Sequence, residues 1–162
     1  PKYFELGLMG IEVPEEYGGA GGTLFMVTLA VEEISKVDAS AAIVCDVQNT
    51  LVNYPIGRYG TDAQKSKYLP MLTSSTVGAY ALSESGSGSD ALGAKAKAIR
   101  QSDGSFTISG EKMWITNGGF ADLFIVFAKV IDDGQDAFTA FLVERGFPGV
   151  SNGNEEPSLA YS

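Results

Sequence analysis

The sequence predicts an α+β fold, with N-terminal helices followed by an antiparallel β barrel or sandwich. Between residues 23 and 75, apolar side chains recur at three- and four-residue steps, which is typical of helices. From residue 77 the chain changes to short segments rich in β-branched and aromatic residues, separated by Gly, Asp or Asn. We therefore expect a partial helical domain over residues 1–76, a β domain over 77–150 and an irregular tail over 151–162.

The first helix is expected from Thr23 to Asp38, with Thr23 as its N-cap. Val27, Val31 and Ile34 form an apolar stripe along it.

A second helix is expected from Asp38, a natural N-cap, to Gly60, and it should end or bend near Pro55. A third, shorter helix should begin at Thr61 and break near Pro70. Three helices thus precede the β domain.

The β domain should open with the segment VGAYALSE, a buried strand that begins at Val77. AKAKAIRQS, GSFTISGEKMWITNGG, ADLFIVFAKV and AFTAFLVERG follow as further strands. SDGS, between Ile99 and Phe106, has the composition of a hairpin turn. We expect all of these strands to pair antiparallel.

Composition excludes several classes of function. Twenty acidic and 11 basic residues give a net charge of −9, which disfavours binding to nucleic acid or to anionic membranes. No apolar run is long enough to span a membrane, and no signal peptide is visible. The chain has no His and one cysteine, Cys45, so catalysis by His-containing triads and metal sites built on His or Cys are not expected.

The stretch YALSESGSGSD ends the first expected strand in a run of Ser and Gly. Such a run is either a solvated loop or an anion-binding nest of backbone amides. It matches neither GxGxxG nor a P-loop. Ser83, Ser85, Ser87 and Ser89 add hydroxyl donors, and Asp90 can fix the turn by accepting from backbone amides.

A second candidate segment is KMWITNGG, which carries Trp114, the only tryptophan. The indole is either a core aromatic or a wall against a planar ligand, with the Thr116 hydroxyl nearby. Together the two segments suggest a site for a large cofactor that has both a ring and a phosphate.

At these residues the sequence resembles the acyl-CoA dehydrogenase family. Tyr80 to Asp90 is similar to the family motif Y-x-x-[ST]-E-x-x-x-G-S-D, and Trp114 to Thr116 is similar to W-I-[ST]. GLMGIEVPEEYGG resembles the family's entry to its helical domain, so that the resemblance runs from about Leu6 to Val150. KVDAS and QNTL most resemble the short/branched-chain members.

The resemblance implies FAD as cofactor. Trp114 corresponds to the aromatic residue against the isoalloxazine ring, and Thr116 to the hydroxyl near flavin N5. Ser89 and Gln135 correspond to substrate-binding positions, and Glu84 corresponds to a position that fixes the loop. The implied cofactor-binding residues are Tyr80, Ala81, Leu82, Ser83, Glu84, Ser85, Gly86, Ser87, Gly88, Ser89, Trp114, Ile115 and Thr116.

The implied reaction is α,β-dehydrogenation of a short or branched acyl-CoA thioester. The family's catalytic glutamate lies in a C-terminal domain with no counterpart in these residues, so no catalytic residue is assigned. The resemblance also implies an electron-transferring flavoprotein as acceptor and a homotetramer. It further implies that the stripe of Val27, Val31 and Ile34 packs on helices that these residues do not include, so we expect the stripe to be partly exposed here. The expected location is the mitochondrial matrix in a eukaryote and the cytoplasm otherwise.

Two other readings stay open at this point. The chain could be a truncated homologue that binds acyl-CoA or a partner without turnover, since fold does not fix function. It could also be an unrelated nucleotide-binding β barrel, if both motifs arose by coincidence.

Overall fold

The computed structural model of the chain describes residues 1–131 and 137–153. Helices occupy the first part and strands the second, which confirms the predicted α+β class. The helices are α1 (Lys2–Glu5), α2 (Leu24–Ser35), α3 (Ala39–Asp46), a π-helix (Val47–Asn53), α4 (Tyr54–Tyr59) and α5 (Asp62–Ser74), with short 3-10 helices at Glu15–Tyr17 and Ala91–Gly93. The strands are β1 (Gly78–Ala81), β2 (Lys97–Arg100), β3 (Phe106–Ser109), β4 (Leu123–Ile131) and β5 (Ala137–Glu144).

The predicted helix starts are confirmed by their caps. The Thr23 hydroxyl accepts from the amide of Met26, at the start of α2. Asp38 accepts from two amides in the first turn of α3. Thr61 and Gln64 form a reciprocal capping box at the start of α5. Each cap satisfies amides that the first turn of a helix leaves without partners.

The prolines predicted the helix ends less well than the caps predicted the helix starts. Pro55 does not end the second helix, which continues as α3, the π-helix and α4 to Tyr59. The break predicted near Pro70 is wrong, because α5 runs on to Ser74. A proline inside a helix removes one hydrogen bond. Leu69 and Leu72 on either side are buried, and this packing holds the helix together.

The strands form one mixed sheet within the described part of the chain. β5 pairs antiparallel with β4 along its length. β1 and β2 both pair parallel with β4, at its start and its end, and β3 pairs antiparallel with β2. The prediction of an all-antiparallel barrel or sandwich is therefore wrong. Antiparallel pairing holds for β2–β3 and β4–β5, which are consecutive strands, whereas long connections lead from β1 and β2 to β4.

The predicted SDGS turn is confirmed as the β2–β3 connection. The Gln101 amide donates to the Ser105 carbonyl at 2.8 Å, and Gly104 has a left-handed φ of 85°. The Asp103 carboxylate accepts from the amide and the hydroxyl of Ser105. Beyond Ser109 the strand predicted over GSFTISGEKMWITNGG ends, and the chain runs irregularly until β4 begins.

The main core lies between the helices and one face of the sheet. Gly78 on β1 is pressed against Val52, so closely that a Cβ at Gly78 would lie 2.4 Å from a Val52 methyl. The buried residues of this cluster are Val13, Val47, Val52, Ile56, Tyr68, Leu69, Leu72, Leu123 and Ile125.

The π-helix carries three buried amide side chains that tie the helices to the rest of the chain. Gln48 donates to the carbonyls of Leu72 and Thr76 and accepts from the Gly78 amide. Asn49 accepts from the Ile11 amide and donates to the Leu8 carbonyl. Asn53 donates to the Met9 carbonyl. These bonds satisfy backbone groups that secondary structure leaves without partners.

The apolar stripe of α2 is partly exposed, as predicted. Val27 is buried, whereas Val31 and Ile34 are half-buried and pack beside it with Ile11 and Cys45. The exposed apolar side chains of α2 lie on its other faces. They are Leu24, Phe25, Met26 and Leu29.

Within residues 1–131 and 137–153, no helix is both long and apolar enough to cross a membrane.

The hydrogen bonds of the Gln48 side-chain amide give a direct stability test. Gln48→Met keeps the approximate shape but leaves three buried backbone groups unsatisfied, and we expect it to lower the free energy of unfolding by about 3 kcal/mol in urea denaturation. The control Gln101→Met, at an exposed residue, should change that free energy by less than about 0.5 kcal/mol. Equal effects of the two variants would contradict the anchoring role of Gln48.

Candidate functional site

The Ser/Gly segment after β1 forms a tight turn. The amide of Glu84 donates to the Ser87 carbonyl at 3.0 Å, and the Ser87 amide donates back to the Glu84 carbonyl at 3.1 Å. Ser85 and Gly86 form the exposed tip of this turn. Two reciprocal backbone bonds define the turn, so its exposed amides are held in a fixed arrangement.

Inner contacts stabilise the rest of the segment. The Ser87 hydroxyl is buried and donates to the Asp90 carbonyl at 2.7 Å, so it is occupied within the loop. The Asp90 carboxylate accepts from the Gly93 amide, which confirms the predicted role of Asp90 in fixing the turn. Gly88 and Ser89 are exposed.

The segment that carries Trp114 has an unusual backbone. Trp114 and Asn117 have left-handed φ angles of 60° and 66°, which non-glycine residues seldom adopt. Asn117 is buried and donates to the Gly78 carbonyl, and Ile115 packs in a buried cluster with Ala79. These anchors hold a conformation that is unfavourable in isolation, a condition that clusters at functional sites.

Trp114 and Thr116 face solvent on either side of the half-buried Ile115. Trp114 is 68% exposed, which contradicts a role in the core. The Thr116 hydroxyl makes no hydrogen bond to any residue that the structure describes. The segment thus exposes an aromatic ring and a hydroxyl group two residues apart.

The two segments lie side by side, as the sequence analysis suggested. The Met113 amide donates to the Ser83 carbonyl at 2.9 Å. The ammonium group of Lys112 donates to the Leu82 carbonyl at 3.0 Å. The end of β1 and the approach to Trp114 are therefore joined by direct hydrogen bonds. We call these two segments, Tyr80–Ser89 and Lys112–Thr116, the junction.

Glu84 is the most heavily bonded group at this junction. Its carboxylate accepts from Lys112 at 2.8 Å and from the backbone amides of Lys95 and Ala96 at 2.6 and 3.0 Å. Burial alone raises the pKa of Glu84, but these hydrogen bonds outweigh burial and leave its pKa below the ordinary value of 4.5. Glu84 is therefore held ionised inside the loop.

Tyr80 is half-buried on β1. Its ring lies 4.9 Å from that of Phe127, which in turn lies 5.6 Å from that of Phe138. Burial raises the pKa of Tyr80 above its ordinary value. Ala81 is buried at the end of β1, and Leu82 and Ser83 are half-buried. Gln135 lies outside the described residues.

A separate cavity of about 380 Å³ lies elsewhere. Tyr68, Asp122, Glu144 and Arg145 are among its lining residues. It opens at the start of β1 and β4, whereas the junction lies beyond the end of β1. The Arg145 guanidinium in this cavity donates to the carbonyls of Gly118 and Ala121. Its charge is therefore held at the cavity and does not contribute to the junction.

Residues 1–76 match the acyl-CoA dehydrogenase N-terminal domain, and residues 79–162 match the acyl-CoA dehydrogenase middle domain. The chain belongs to the acyl-CoA dehydrogenase family.

Relatives within this family are similar over nearly the whole chain. A probable short/branched chain specific acyl-CoA dehydrogenase of Dictyostelium discoideum is 48% identical over 157 residues, 96% of this chain and 38% of the relative. The mitochondrial short/branched chain specific acyl-CoA dehydrogenase of Bos taurus is 44% identical over 96% of this chain and 36% of its own length.

A crystal structure of an acyl-CoA dehydrogenase from Bacillus anthracis, complexed with FAD, superposes with a TM-score of 0.85 at 46% identity. The match covers 96% of this chain and 26% of that one. The chain thus spans well under half the length of the relatives that it matches.

Sequence reasoning missed two parts of the site. Lys112 was not singled out, although it contacts both Leu82 and Glu84. The amides of Lys95 and Ala96 were missed as well. Glu84 and Lys112 are 28 residues apart, and no helical or strand period relates them. Only the folded β unit brings them together.

The low pKa of Glu84 predicts a pH dependence. Since its folded-state pKa is lowered, Glu84 stabilises the fold fully above about pH 4.5, and this contribution is lost as the pH falls through the folded-state pKa. We therefore expect the Tm difference between wild type and Glu84→Gln to be large near pH 7 and to shrink below about pH 4.5.

Glu33→Gln is the matched control, because Glu33 pairs with Lys36 on the exposed surface of α2. Exposed pairs contribute little to stability, so its Tm should stay close to that of wild type throughout the titration. A Glu84→Gln difference that does not change with pH would contradict the assigned ionisation of Glu84.

Proposed function

We propose that this chain supplies the flavin-facing part of an FAD-dependent acyl-CoA dehydrogenase that oxidises short or branched acyl-CoA thioesters. The observation that carries the proposal is the junction of Tyr80–Ser89 with Lys112–Thr116, on which Trp114 is exposed and held by a fixed backbone. Family membership supports the same reading.

The residues at the junction fit FAD. A flavin needs a flat apolar face, hydrogen-bond donors at its ring edge and donors for its pyrophosphate. Trp114 offers the face, and Thr116 offers an exposed hydroxyl that bonds to no other described residue. The exposed turn at Ser85 and Gly86 offers backbone amides, which bind phosphate without any net positive charge. This suits a chain with a net charge of −9.

FAD bound at the junction would supply the hydride acceptor for oxidation of the thioester. The chain's own residues would act by holding and tuning the cofactor. Trp114 would cover one ring face and exclude water from it. The Thr116 hydroxyl would donate to a ring edge that gains charge on reduction, which would make reduction more favourable.

The substrate class rests on similarity to the relatives, whose names specify short/branched-chain substrates. Ser89 is exposed next to the turn, where it could donate to the thioester ligand, and we assign Gln135 to the same ligand. The α-proton requires a carboxylate base, which we place outside these 162 residues. Glu84 does not serve as that base, because its carboxylate is enclosed by donors.

The remaining assignments concern the whole protein. We propose an electron-transferring flavoprotein as the electron acceptor and a homotetramer as the assembly. The mitochondrial matrix is the proposed location if the source is eukaryotic, as the name of the Bos taurus relative suggests, and the cytoplasm otherwise.

Two substitutions test the flavin surface. Trp114→Ala removes a ring wall and should weaken FAD binding by about 1 kcal/mol in a titration of the natural protein that contains this sequence. Thr116→Val keeps the shape but deletes a donor, so it should lower the midpoint potential of the flavin more than it weakens FAD binding. Both quantities are measured for wild type and the two variants.

Arg58→Ala is the control, because Arg58 is exposed on α4, away from the junction, and should change neither quantity. If neither Trp114→Ala nor Thr116→Val shifts affinity or potential, the junction is not the flavin site. Binding of acyl-CoA without turnover would instead favour a non-catalytic module.

A further inference from the structure

Glu84 and Lys112 form the most buried ion pair among the described residues. Their side chains are 9% and 10% exposed, and the Lys112 ammonium lies 2.8 Å from the Glu84 carboxylate. Removing two charges from water is costly, and a buried pair is often no more stabilising than apolar side chains of similar size. Stability alone therefore gives a weak reason for this pair.

The geometry of the pair indicates another role. Lys112 donates to the Leu82 carbonyl as well as to Glu84, and Glu84 accepts from the amides of Lys95 and Ala96. The pair thus connects three segments: the end of β1, the entry to β2 and the approach to Trp114. Lys112 is two residues from Trp114, and its neighbour Met113 bonds to Ser83.

We infer that Glu84 and Lys112 are positioning residues that set the place of Trp114 and Thr116 relative to Leu82 and Ser83. The inference rests on the proposed function only for the identity of the ligand as a flavin. Neither side chain faces the ligand surface, since both are enclosed. They act through the backbone of the two segments that they hold together.

A comparison within the molecule supports a local role. Lys67 and Glu144 pair at 2.6 Å between α5 and β5, but their side chains are 56% and 33% exposed. That pair touches neither segment of the junction. Lys67→Met is therefore a matched control, which removes a lysine from an ion pair without disturbing Trp114.

The first measurement does not involve FAD. The natural protein that contains this sequence is labelled with 5-fluorotryptophan, and the Trp114 signal is assigned by its loss in Trp114→Phe. In Lys112→Met the Trp114 ¹⁹F shift should move and its line should change in width, because the segment loses its bonds to Leu82 and Glu84. In Lys67→Met the signal should match that of wild type. An unchanged Trp114 signal in folded Lys112→Met overturns the inference.

The second measurement is the dissociation constant for FAD. Misplacing a binding group by a fraction of an ångström weakens its contacts, so Lys112→Met should raise that constant about tenfold and Lys67→Met should leave it unchanged. If wild type binds FAD and Lys112→Met binds equally well, the positioning role is wrong while the proposed function stands. If wild type does not bind FAD, the proposed function fails and the ¹⁹F result alone decides the positioning role.

A second variant separates the loss of positioning from an effect of misfolding. Lys112→Met leaves the Glu84 charge buried without its main partner, which can unfold the loop. The double variant Glu84→Gln with Lys112→Met carries no buried charge and should recover most of the lost Tm. Because the lysine is still absent, its Trp114 signal should stay shifted and its FAD binding weak. A double variant with a wild-type Trp114 signal overturns the inference.

Discussion

The position of β1 depends on buried polar side chains at both of its ends. The strand has only four residues and, among the described strands, pairs with β4 alone, so its ladder is too short to fix it. At its start, Gln48 accepts from the Gly78 amide and Asn117 donates to the Gly78 carbonyl. Just beyond its end, Lys112 donates to the Leu82 carbonyl. Every one of these partners is remote in sequence, so the strand is placed by tertiary contacts.

This anchoring explains how an irregular surface can be well defined. The candidate site lies on two loops, which have no regular hydrogen-bond ladder of their own. The Glu84–Lys112 pair and the Ser83–Met113 bond connect them, so the loops share one rigid support. A site of this kind can tolerate the left-handed backbone of Trp114, because surrounding contacts outweigh a local cost of about 1–3 kcal/mol. The acidic surface is no obstacle, since backbone amides supply the donors.

Structural features that depend on a few neighbouring residues were predicted correctly from the sequence. Thr23, Asp38 and Thr61 mark helix starts because a cap depends on the next three residues, and SDGS marks a hairpin for the same reason. Strand pairing depends instead on partners far along the chain, so the parallel pairing of β1 and β2 with β4 was missed. The break predicted near Pro70 was wrong because the burial of its neighbours outweighs the low helix propensity of proline. At the site, the two motifs were visible in sequence, but the buried Glu84–Lys112 pair that joins them was not.

A crystal structure of the natural protein with FAD tests the central claim most directly, which is that Tyr80–Ser89 and Lys112–Thr116 form one flavin surface. We predict that the flavin ring lies against the Trp114 indole within van der Waals distance and accepts a hydrogen bond from Thr116. The Glu84–Lys112 pair should stay intact beneath it. FAD bound elsewhere, with Trp114 still exposed to solvent, would contradict the account.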